Sequence, residues 1–170
     1  MIKKVIMVIS HTGFRDEELL QPKEILEANN IGVMVASNEP TPARGKLGAV
    51  VSVDILLRDI PSADFDALFF IGGPGCIVYW DDPLAHKLLK DAFSSGKIVG
   101  GICSGSVTLA RSGILKGKRA TVFPGDSQEL LVNGVNYTAS PVEKDGNIIT
   151  ASGPDAAVAF AGEIVRALAE

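Results

Sequence analysis

Apolar residues alternate along the chain between two patterns. Short continuous apolar runs rich in β-branched residues are typical of strands that are covered on both faces of a sheet. Longer segments with apolar residues three and four positions apart are typical of helices that bury one face. The predicted strands are residues 5–9, 31–37, 65–73, 97–103 and 147–152, and residues 50–57 are predicted to be extended at the edge of the sheet.

Helix signals lie between these runs. The first helix contains Leu19, Ile25 and Leu26. We expect Pro22 in its first turn, where the missing proline N–H removes no intrahelical hydrogen bond.

Capping residues mark the later helices. Asp82 and Pro83 have the chemistry of an N-cap and a first helical residue, and Gly96 that of a stop. The other predicted helices are residues 104–111, closed by Gly113; a short helix with Asp126 and Glu129 as its capping box, ending near Gly134; and a last helix that starts at Pro154 and buries Val158, Ala161, Ile164, Val165 and Leu168. This alternation predicts one doubly wound α/β domain over residues 1–170, with a mostly parallel sheet and helices on both faces.

Composition and charge exclude several classes of protein. A formal net charge of −4 without a basic stripe argues against nucleic-acid binding. The first apolar run is only about six residues long, too short for a signal peptide or a membrane span, so we expect a soluble cytoplasmic protein with no membrane partner. Two cysteines and two histidines lack metal-ligand spacing, and no phosphate or dinucleotide loop is present, so no metal and no cofactor are expected.

The segment Gly101-Ile102-Cys103-Ser104-Gly105 lies between a predicted strand and a predicted helix. It is the thiol counterpart of the nucleophile elbow, a strained turn that presents its nucleophile at the ligand-binding edge of an open α/β sheet. The following helix is expected to favour the thiolate and to lower the thiol pKa from about 8.5 towards roughly 3.5–7.5. A buried structural cysteine is the alternative, and the glycines and the strand-turn-helix context favour a reactive thiol.

Other segments accompany this motif. They are an acidic residue four positions before Pro22, GGPG after a buried run, and EKDGNIITASGP near the C-terminus. Together with GICSGSVTLARSGILKGKRAT, they resemble the ThiJ/PfpI superfamily over nearly the whole chain. That superfamily includes the Parkinson's-linked human protein deglycase and archaeal intracellular proteases. The resemblance implies a flavodoxin-like, class I glutamine amidotransferase-like fold, and association into homodimers or larger homo-oligomers.

The resemblance also implies roles for single residues. Cys103 matches the nucleophile, and Glu18 matches a buried glutamic acid that contacts its sulfur. Gly73 and Ser104 match positions whose N–H groups form a cradle like an oxyanion hole.

Electrostatics constrain the assignment of Glu18. A charged carboxylate would repel a thiolate, so Glu18 must keep its proton near neutral pH, and the two groups should titrate as a unit. Asp16 and Glu17 compete for the role, and the position relative to Pro22 favours Glu18. The structural alternative for each acid is a solvated charge at a helix start.

Histidines are absent from the positions at which the superfamily carries them. Ser104 follows the cysteine, where the protease-like branch has histidine, and Asn136 stands near the late histidine of the human-like branch. Of the two histidines, His86 is expected on the surface. His11 lies on the functional edge, where it is either a plain loop residue or part of the pocket.

The second cysteine, Cys76, follows GGPG and is a candidate for the mouth of the same pocket. It is either a small apolar residue or a resolving thiol for Cys103. Tyr79 and Trp80 either line the pocket, pack in the core or contact a partner subunit. The pocket candidates are Gly72, Cys76, His11, Asn136, Gly153 and Pro154.

The residues, together with what the resemblance implies, leave three candidate functions. The first is a cysteine-dependent glyoxalase- or deglycase-like enzyme acting on small carbonyl compounds. The second is an oxidative-stress sensor or chaperone whose Cys103 reacts with an oxidant. The third is an intracellular cysteine peptidase or amidase, which the missing histidine disfavours.

Overall fold

The computed structural model describes residues 1–170 and contains twelve strands and six α-helices. The strands are β1 (Lys4–Val8), β2 (Thr12–Phe14), β3 (Gly32–Ser37), β4 (Ala43–Gly45), β5 (Val50–Val51), β6 (Ile55–Leu56), β7 (Ala67–Phe70), β8 (Ile98–Ile102), β9 (Arg119–Ala120), β10 (Asn136–Tyr137), β11 (Val142–Asp145) and β12 (Ile148–Ala151). The helices are α1 (Asp16–Ala28), α2 (Ile77–Trp80), α3 (Pro83–Ser94), α4 (Ser106–Ser112), α5 (Ser127–Val132) and α6 (Ala157–Ala169).

Seven strands form the central sheet, in the order β11-β12-β8-β7-β1-β3-β6. All neighbours are parallel except β11 and β12, which pair antiparallel at one edge. The predicted doubly wound, mostly parallel sheet is therefore confirmed. Parallel strands present their carboxyl ends at one edge, and this edge carries the site described below.

Two hydrophobic cores cover the two faces of the sheet. Along β1, Val5 and Met7 pack into one core while Ile6 and Val8 pack into the other. The first core lies under α1 and α6, and the second lies under α3 and α4. Because both faces are covered, the inner strands of the sheet are apolar at nearly every position, which explains the continuous runs in the sequence.

Capping residues define the helix ends as predicted at two places. The Asp82 side chain accepts a hydrogen bond from the Leu84 N–H at 3.1 Å, and Pro83 is the first residue of α3. Gly113 closes α4 in the left-handed conformation, with φ of 93°.

The prediction for Pro22 was wrong. Helix α1 begins at Asp16, directly after the extended residue Arg15, so Pro22 is buried in the second turn. Since proline has no N–H, the Glu18 carbonyl lacks its intrahelical partner at that point.

The predicted apolar face of the last helix also needs correction. Val158 is 59% exposed, whereas Phe160 is fully buried. The buried face of α6 consists of Ala157, Phe160, Ala161, Ile164, Ala167 and Leu168.

The short strands β2, β4, β9, β10 and β11 were not predicted. β2 and β4 form a separate three-stranded sheet with β5, β11 extends the edge of the central sheet, and β9 pairs with β10. Residues 50–57 are extended in two pieces, of which only β6 joins the central sheet, next to β3. No helix is both long and apolar enough to cross a lipid bilayer.

Candidate active site

Cys103 stands on a strained turn at the carboxyl end of β8. Its φ is 57°, which is uncommon for a residue with a side chain. Residues Cys103–Gly105 form a single 3₁₀ turn, and α4 follows at once. The predicted elbow is therefore confirmed as a backbone feature, although the predicted helix 104–111 starts as a 3₁₀ turn.

The two glycines of the motif allow other chain segments to pass close to the elbow. A Cβ on Gly105 would lie 2.3 Å from the carbonyl oxygen of Phe70, and one on Gly101 would lie 2.9 Å from the nitrogen of Ser106. Both distances are shorter than atoms can approach, so the tight packing around Cys103 requires glycine at each position.

Glu18 projects from the first turn of α1 towards Cys103 and is fully buried. The Gly72 N–H donates to its Oε1 at 3.0 Å, and its Oε2 has no hydrogen-bond partner in the chain. A Cβ on Gly72 would lie 2.6 Å from Oε1 of Glu18 and 2.7 Å from Cβ of Cys103. The acid and the cysteine therefore lie side by side against one glycine, and of the three neighbouring acids only Glu18 is placed there.

Burial raises the pKa of Glu18 from 4.5 to about 7, against the lowering effect of Cys103 and of the Gly72 N–H. The direction of this shift agrees with the expectation that the carboxyl keeps its proton close to neutrality, which stays a prediction. Burial and the adjacent Glu18 charge raise the pKa of the Cys103 thiol to about 12, although the Ser104 N–H stabilises the anionic sulfur. The expected lowering of the thiol pKa by the following helix was wrong, because burial and Glu18 outweigh a single 3₁₀ turn.

These two shifts describe one coupled pair. The pair loses its first proton near pH 7 and keeps the second far above it, so it carries a single negative charge over most of the physiological range. By these pKa values the charge lies mainly on the Glu18 carboxylate, and transfer of the remaining proton from the sulfur to Glu18 would place it on the sulfur. A thiolate beside a neutral carboxyl is therefore the minor form that a nucleophilic Cys103 would use.

Two residues that line the cavity together with Cys103 are candidates to supply backbone N–H donors. The Gly73 N–H has no acceptor within the chain, and Gly73 has φ of 104°, which requires glycine. The Ser104 N–H is the second donor. Both residues line the same cavity as Cys103, where such donors can stabilise an oxyanion.

Ser104 is held by two side chains. Its Oγ donates to Oδ2 of Asp126 at 2.5 Å, and its carbonyl accepts from Nε1 of Trp80 at 3.1 Å. Asp126 therefore does not form the predicted capping box with Glu129, and no side chain caps α5. The Asp126 carboxylate instead holds Ser104, the residue that follows Cys103.

A cavity of about 330 Å³ opens above the sulfur. This volume lies at the small end of the range for ligand pockets. Its lining residues are Arg15, Lys46, Gly73, Pro74, Cys103, Ser104, Phe123 and Pro154.

Two cations in this lining were missed by sequence reasoning. Arg15 binds Glu17 through Nε and Nη2, with an Nη2–Oε2 distance of 2.8 Å, whereas Lys46 forms no ion pair. Buried Asp16 accepts hydrogen bonds from the N–H groups of Leu47 and Ala49 at 2.9 and 2.8 Å, which holds the loop that carries Lys46. In the sequence, the segment RGKLG places Lys46 between two glycines, and this was the available signal for that residue.

The pocket candidates divide into two groups. Pro154 lines the cavity, Gly153 directly precedes it, and Gly72 lies beneath the acid–thiol pair. Cys76, His11 and Asn136 are not in the lining, and the interpretation of these three as pocket residues is corrected. Each of these three residues lies elsewhere in the fold.

Cys76 is 2% exposed, burial raises its pKa to about 12, and both cysteines are free thiols. The Asn136 amide donates to the Gly117 carbonyl at 3.3 Å, away from the site.

Both histidines are occupied elsewhere. Nε2 of His11 lies 2.8 Å from Oγ1 of Thr41, and Nε2 of His86 lies 2.7 Å from the carbonyl oxygen of Trp80. The half-buried position of His86 differs from the expected surface position, because its ring caps the one-turn helix α2. Tyr79 packs in the core, and Trp80 supports Ser104 without lining the cavity.

A mostly parallel sheet with a cysteine on an elbow at its carboxyl edge defines a flavodoxin-like α/β protein with a candidate nucleophile. Comparison with known proteins specifies the family. Residues 3–167 match the model of the DJ-1/PfpI family. The chain belongs to this family, and the predicted resemblance is confirmed.

Relatives from two domains of life align along almost the whole chain. A deglycase of Pyrococcus abyssi is 32% identical over 163 residues, covering 96% of this chain and 98% of that protein. The glutathione-independent glyoxalase DJR-1.2 of Caenorhabditis elegans is 28% identical over 166 residues, covering 98% and 89%. Among solved structures, the ThiJ/PfpI domain protein of Brachyspira murdochii has a TM-score of 0.96 and 35% identity, covering 98% of this chain and 96% of that one.

Proposed function

We propose that this protein is a cysteine-dependent enzyme that converts short α-oxoaldehydes into 2-hydroxy acids, in the manner of a glyoxalase or deglycase. The observation that supports this most is the placement of Cys103 between a proton-holding acid, Glu18, and two backbone donors on one small cavity. The names of the Pyrococcus and Caenorhabditis relatives point to the same class of chemistry.

The first step is addition of the Cys103 thiolate to the aldehyde carbon. A carbon–sulfur bond forms, and the carbonyl electron pair moves to oxygen, which the N–H groups of Gly73 and Ser104 stabilise. Glu18 supplies the proton that this oxygen takes up. The product is a hemithioacetal and a Glu18 carboxylate.

The second step moves hydrogen between neighbouring carbons. The Glu18 carboxylate removes the proton from the former aldehyde carbon, which gives an enediolate, and returns this proton to the adjacent carbon, while the hydroxyl proton of the hemithioacetal passes to the neighbouring oxygen. The aldehyde carbon is thereby oxidised to a thioester and the ketone carbon is reduced to an alcohol. Water then hydrolyses the thioester, which releases the 2-hydroxy acid and restores the Cys103 sulfur.

The test is turnover of methylglyoxal to lactate by the purified full chain. The wild type should be active, and Cys103→Ala should lose activity by roughly a hundredfold or more, because the nucleophile is gone. Cys76→Ala is the matched control, since it also removes one thiol but not one that lines the cavity. Equal activity of wild type and Cys103→Ala would refute the proposal.

One observation favours a second candidate, a sensor of oxidants. Glu18 is buried against the same glycine as Cys103 and its Oε2 has no hydrogen-bond partner, so a protonated carboxyl there can donate to an oxygen added to the sulfur. Two equivalents of peroxide would oxidise the thiol to sulfinic acid and yield two of water. Selective oxidation of Cys103 over Cys76 in peptide mass spectra, slowed in Glu18→Gln and without any methylglyoxal turnover, would favour this candidate over the enzyme.

A further inference from the structure

The cavity above Cys103 differs in charge from the rest of the molecule. The chain carries a net charge of −4, yet the cavity lining contains two cations, Arg15 and Lys46, and no aspartate or glutamate. At neutral pH the single negative charge of the site lies on the pair formed by Glu18 and Cys103. A cavity of this kind is electrostatically suited to a ligand with its own negative charge.

Each cation keeps a donor free. Arg15 uses Nε and Nη2 to bind Glu17, and its Nη1 donates to no group in the chain. Lys46 has neither a carboxylate partner nor any side-chain hydrogen bond, although five of the other lysines do have an ion-pair partner. Free donors of this type bind carboxylate or phosphate oxygens.

The fold holds these two cations in place. The Arg15 N–H donates to the Gly72 carbonyl at 2.9 Å, next to the glycine that supports Glu18, and the Lys46 N–H donates to the Phe14 carbonyl at 2.8 Å. Asp16 fixes the other side of the Lys46 loop through Leu47 and Ala49. The backbone at both cations is thus connected to the segments that form the site.

We infer that Arg15 and Lys46 form an anion-binding subsite, and that the preferred substrates are short α-oxoaldehydes that carry a carboxylate or phosphate group at the end away from the aldehyde. This inference rests on the proposed function and specifies its substrate class. The charged end binds the subsite while the aldehyde carbon lies against Cys103. The reaction is the same isomerisation with addition of water, for example of 4,5-dioxopentanoate to 2-hydroxyglutarate.

The kinetic test compares kcat/KM for three substrates: neutral methylglyoxal, 4,5-dioxopentanoate and 3-phosphooxy-2-oxopropanal. In the wild type, kcat/KM for a charged substrate divided by kcat/KM for methylglyoxal should exceed one. Lys46→Gln should lower this ratio by roughly tenfold. Lys46→Arg should retain the ratio because it retains the charge. The control Lys87→Gln removes a lysine that is exposed on α3 and should have no effect. The substrate on which Lys46→Gln acts more strongly identifies carboxylate or phosphate as the preferred group.

A second test does not need turnover. Iodoacetate and iodoacetamide alkylate a thiolate by the same displacement of iodide, and they differ in one negative charge. The ratio of their rates at Cys103, measured by peptide mass spectrometry, should fall in Lys46→Gln and in Arg15→Gln, and also in the wild type at high salt. A ratio that is the same in wild type and Lys46→Gln would overturn the subsite. If no oxoaldehyde is turned over but the alkylation ratio still depends on Lys46, the subsite stands and the proposed function fails.

Discussion

The Gly72 N–H donates to Oε1 of Glu18 at 3.0 Å, and a Cβ on Gly72 would lie 2.7 Å from Cβ of Cys103, so one glycine holds the acid against the cysteine. Oε2 of the same carboxyl has no hydrogen-bond partner in the chain. The backbone therefore fixes one oxygen of the carboxyl, and the other oxygen makes no hydrogen bond. The proposed exchange of a proton between Glu18 and Cys103 depends on this arrangement.

The pH dependence of Cys103 alkylation tests this relationship. In the wild type, the rate of reaction with iodoacetamide should rise through about pH 7, where the pair acquires its single charge. In Glu18→Gln the amide can accept no proton from the sulfur, and the rise should move to higher pH because burial still disfavours the thiolate.

Glu18→Asp is the control for that experiment, since it keeps an acid that can exchange a proton. The pH at which its alkylation rate rises should lie closer to the value for the wild type than to the value for Glu18→Gln. A rise in Glu18→Gln at the same pH as in the wild type, or at lower pH, would show that Glu18 does not take the proton of Cys103.

Protein stability should depend on pH through the same carboxyl. The pKa of Glu18 is raised from 4.5 to about 7, so the folded state holds a proton that the unfolded chain releases in this interval. The free energy of unfolding should fall as the pH rises through this window, by about 3 kcal/mol for a shift of this size. Glu18→Gln removes this loss, and its stability relative to the wild type should increase between about pH 4.5 and 7 and then level off. Urea unfolding across this range measures the difference, and a difference that is independent of pH would contradict the assignment.

The hydrogen bond between Ser104 and Asp126 should contribute to both stability and reactivity. Because Asp126 is half-buried and charged, we expect a coupling free energy of about 1 kcal/mol in a double-mutant cycle of Ser104→Ala and Asp126→Ala. Each single variant should also slow alkylation of Cys103, since the turn that directs the Ser104 N–H to the sulfur becomes looser. Ser127→Ala, next to Asp126 and without a contact to Ser104, is the control. Additive effects on stability would show that the two side chains do not interact.

Asp16 should be important for stability although it does not line the cavity. It is 6% exposed and accepts two backbone N–H groups from residues 47 and 49. Asp16→Ala leaves both donors without their charged acceptor and should lower the free energy of unfolding by about 2–3 kcal/mol. Glu24→Ala, on the exposed side of the same helix, should change it by less than about 0.5 kcal/mol. Similar small effects of both substitutions would show that Asp16 does not stabilise the loop.

The central sheet and the elbow were predictable because their signals are local. Both faces of the sheet are covered, so a strand such as β7 is apolar at every position. Cys103 lies between glycines where the pattern changes from strand to helix. The small sheet of β2, β4 and β5 was not predictable, because strands of two or three residues are too short to show a periodic pattern of apolar and polar positions. Pro22 misled the placement of the first helix because its burial in the second turn depends on tertiary packing.

The residues that line the cavity were harder to predict from the sequence than the nucleophile, Cys103. Glu18 could be placed through the family resemblance together with the argument that a neutral acid must face a thiolate. Lys46, Phe123 and Asp126 reach the site from loops that are distant in sequence, and no spacing rule connects them to Cys103. The thiol pKa was misjudged because the helix effect could be read from the sequence, whereas the burial of the sulfur beside Glu18 could not.

The anchorage of residues 45–49 bears on how this protein can diverge. Asp16 holds the loop through the N–H groups of Leu47 and Ala49, which every amino acid except proline provides. Side chains in the loop are therefore free to vary in evolution while its path stays the same, apart from Gly45, where a Cβ would collide with Asp16, and Gly48, whose φ of 101° favours glycine. Under the proposed anion-binding subsite, exchange of residue 46 alone would alter substrate preference without disturbing the acid–thiol pair, which makes this position a natural starting point for redesigning selectivity.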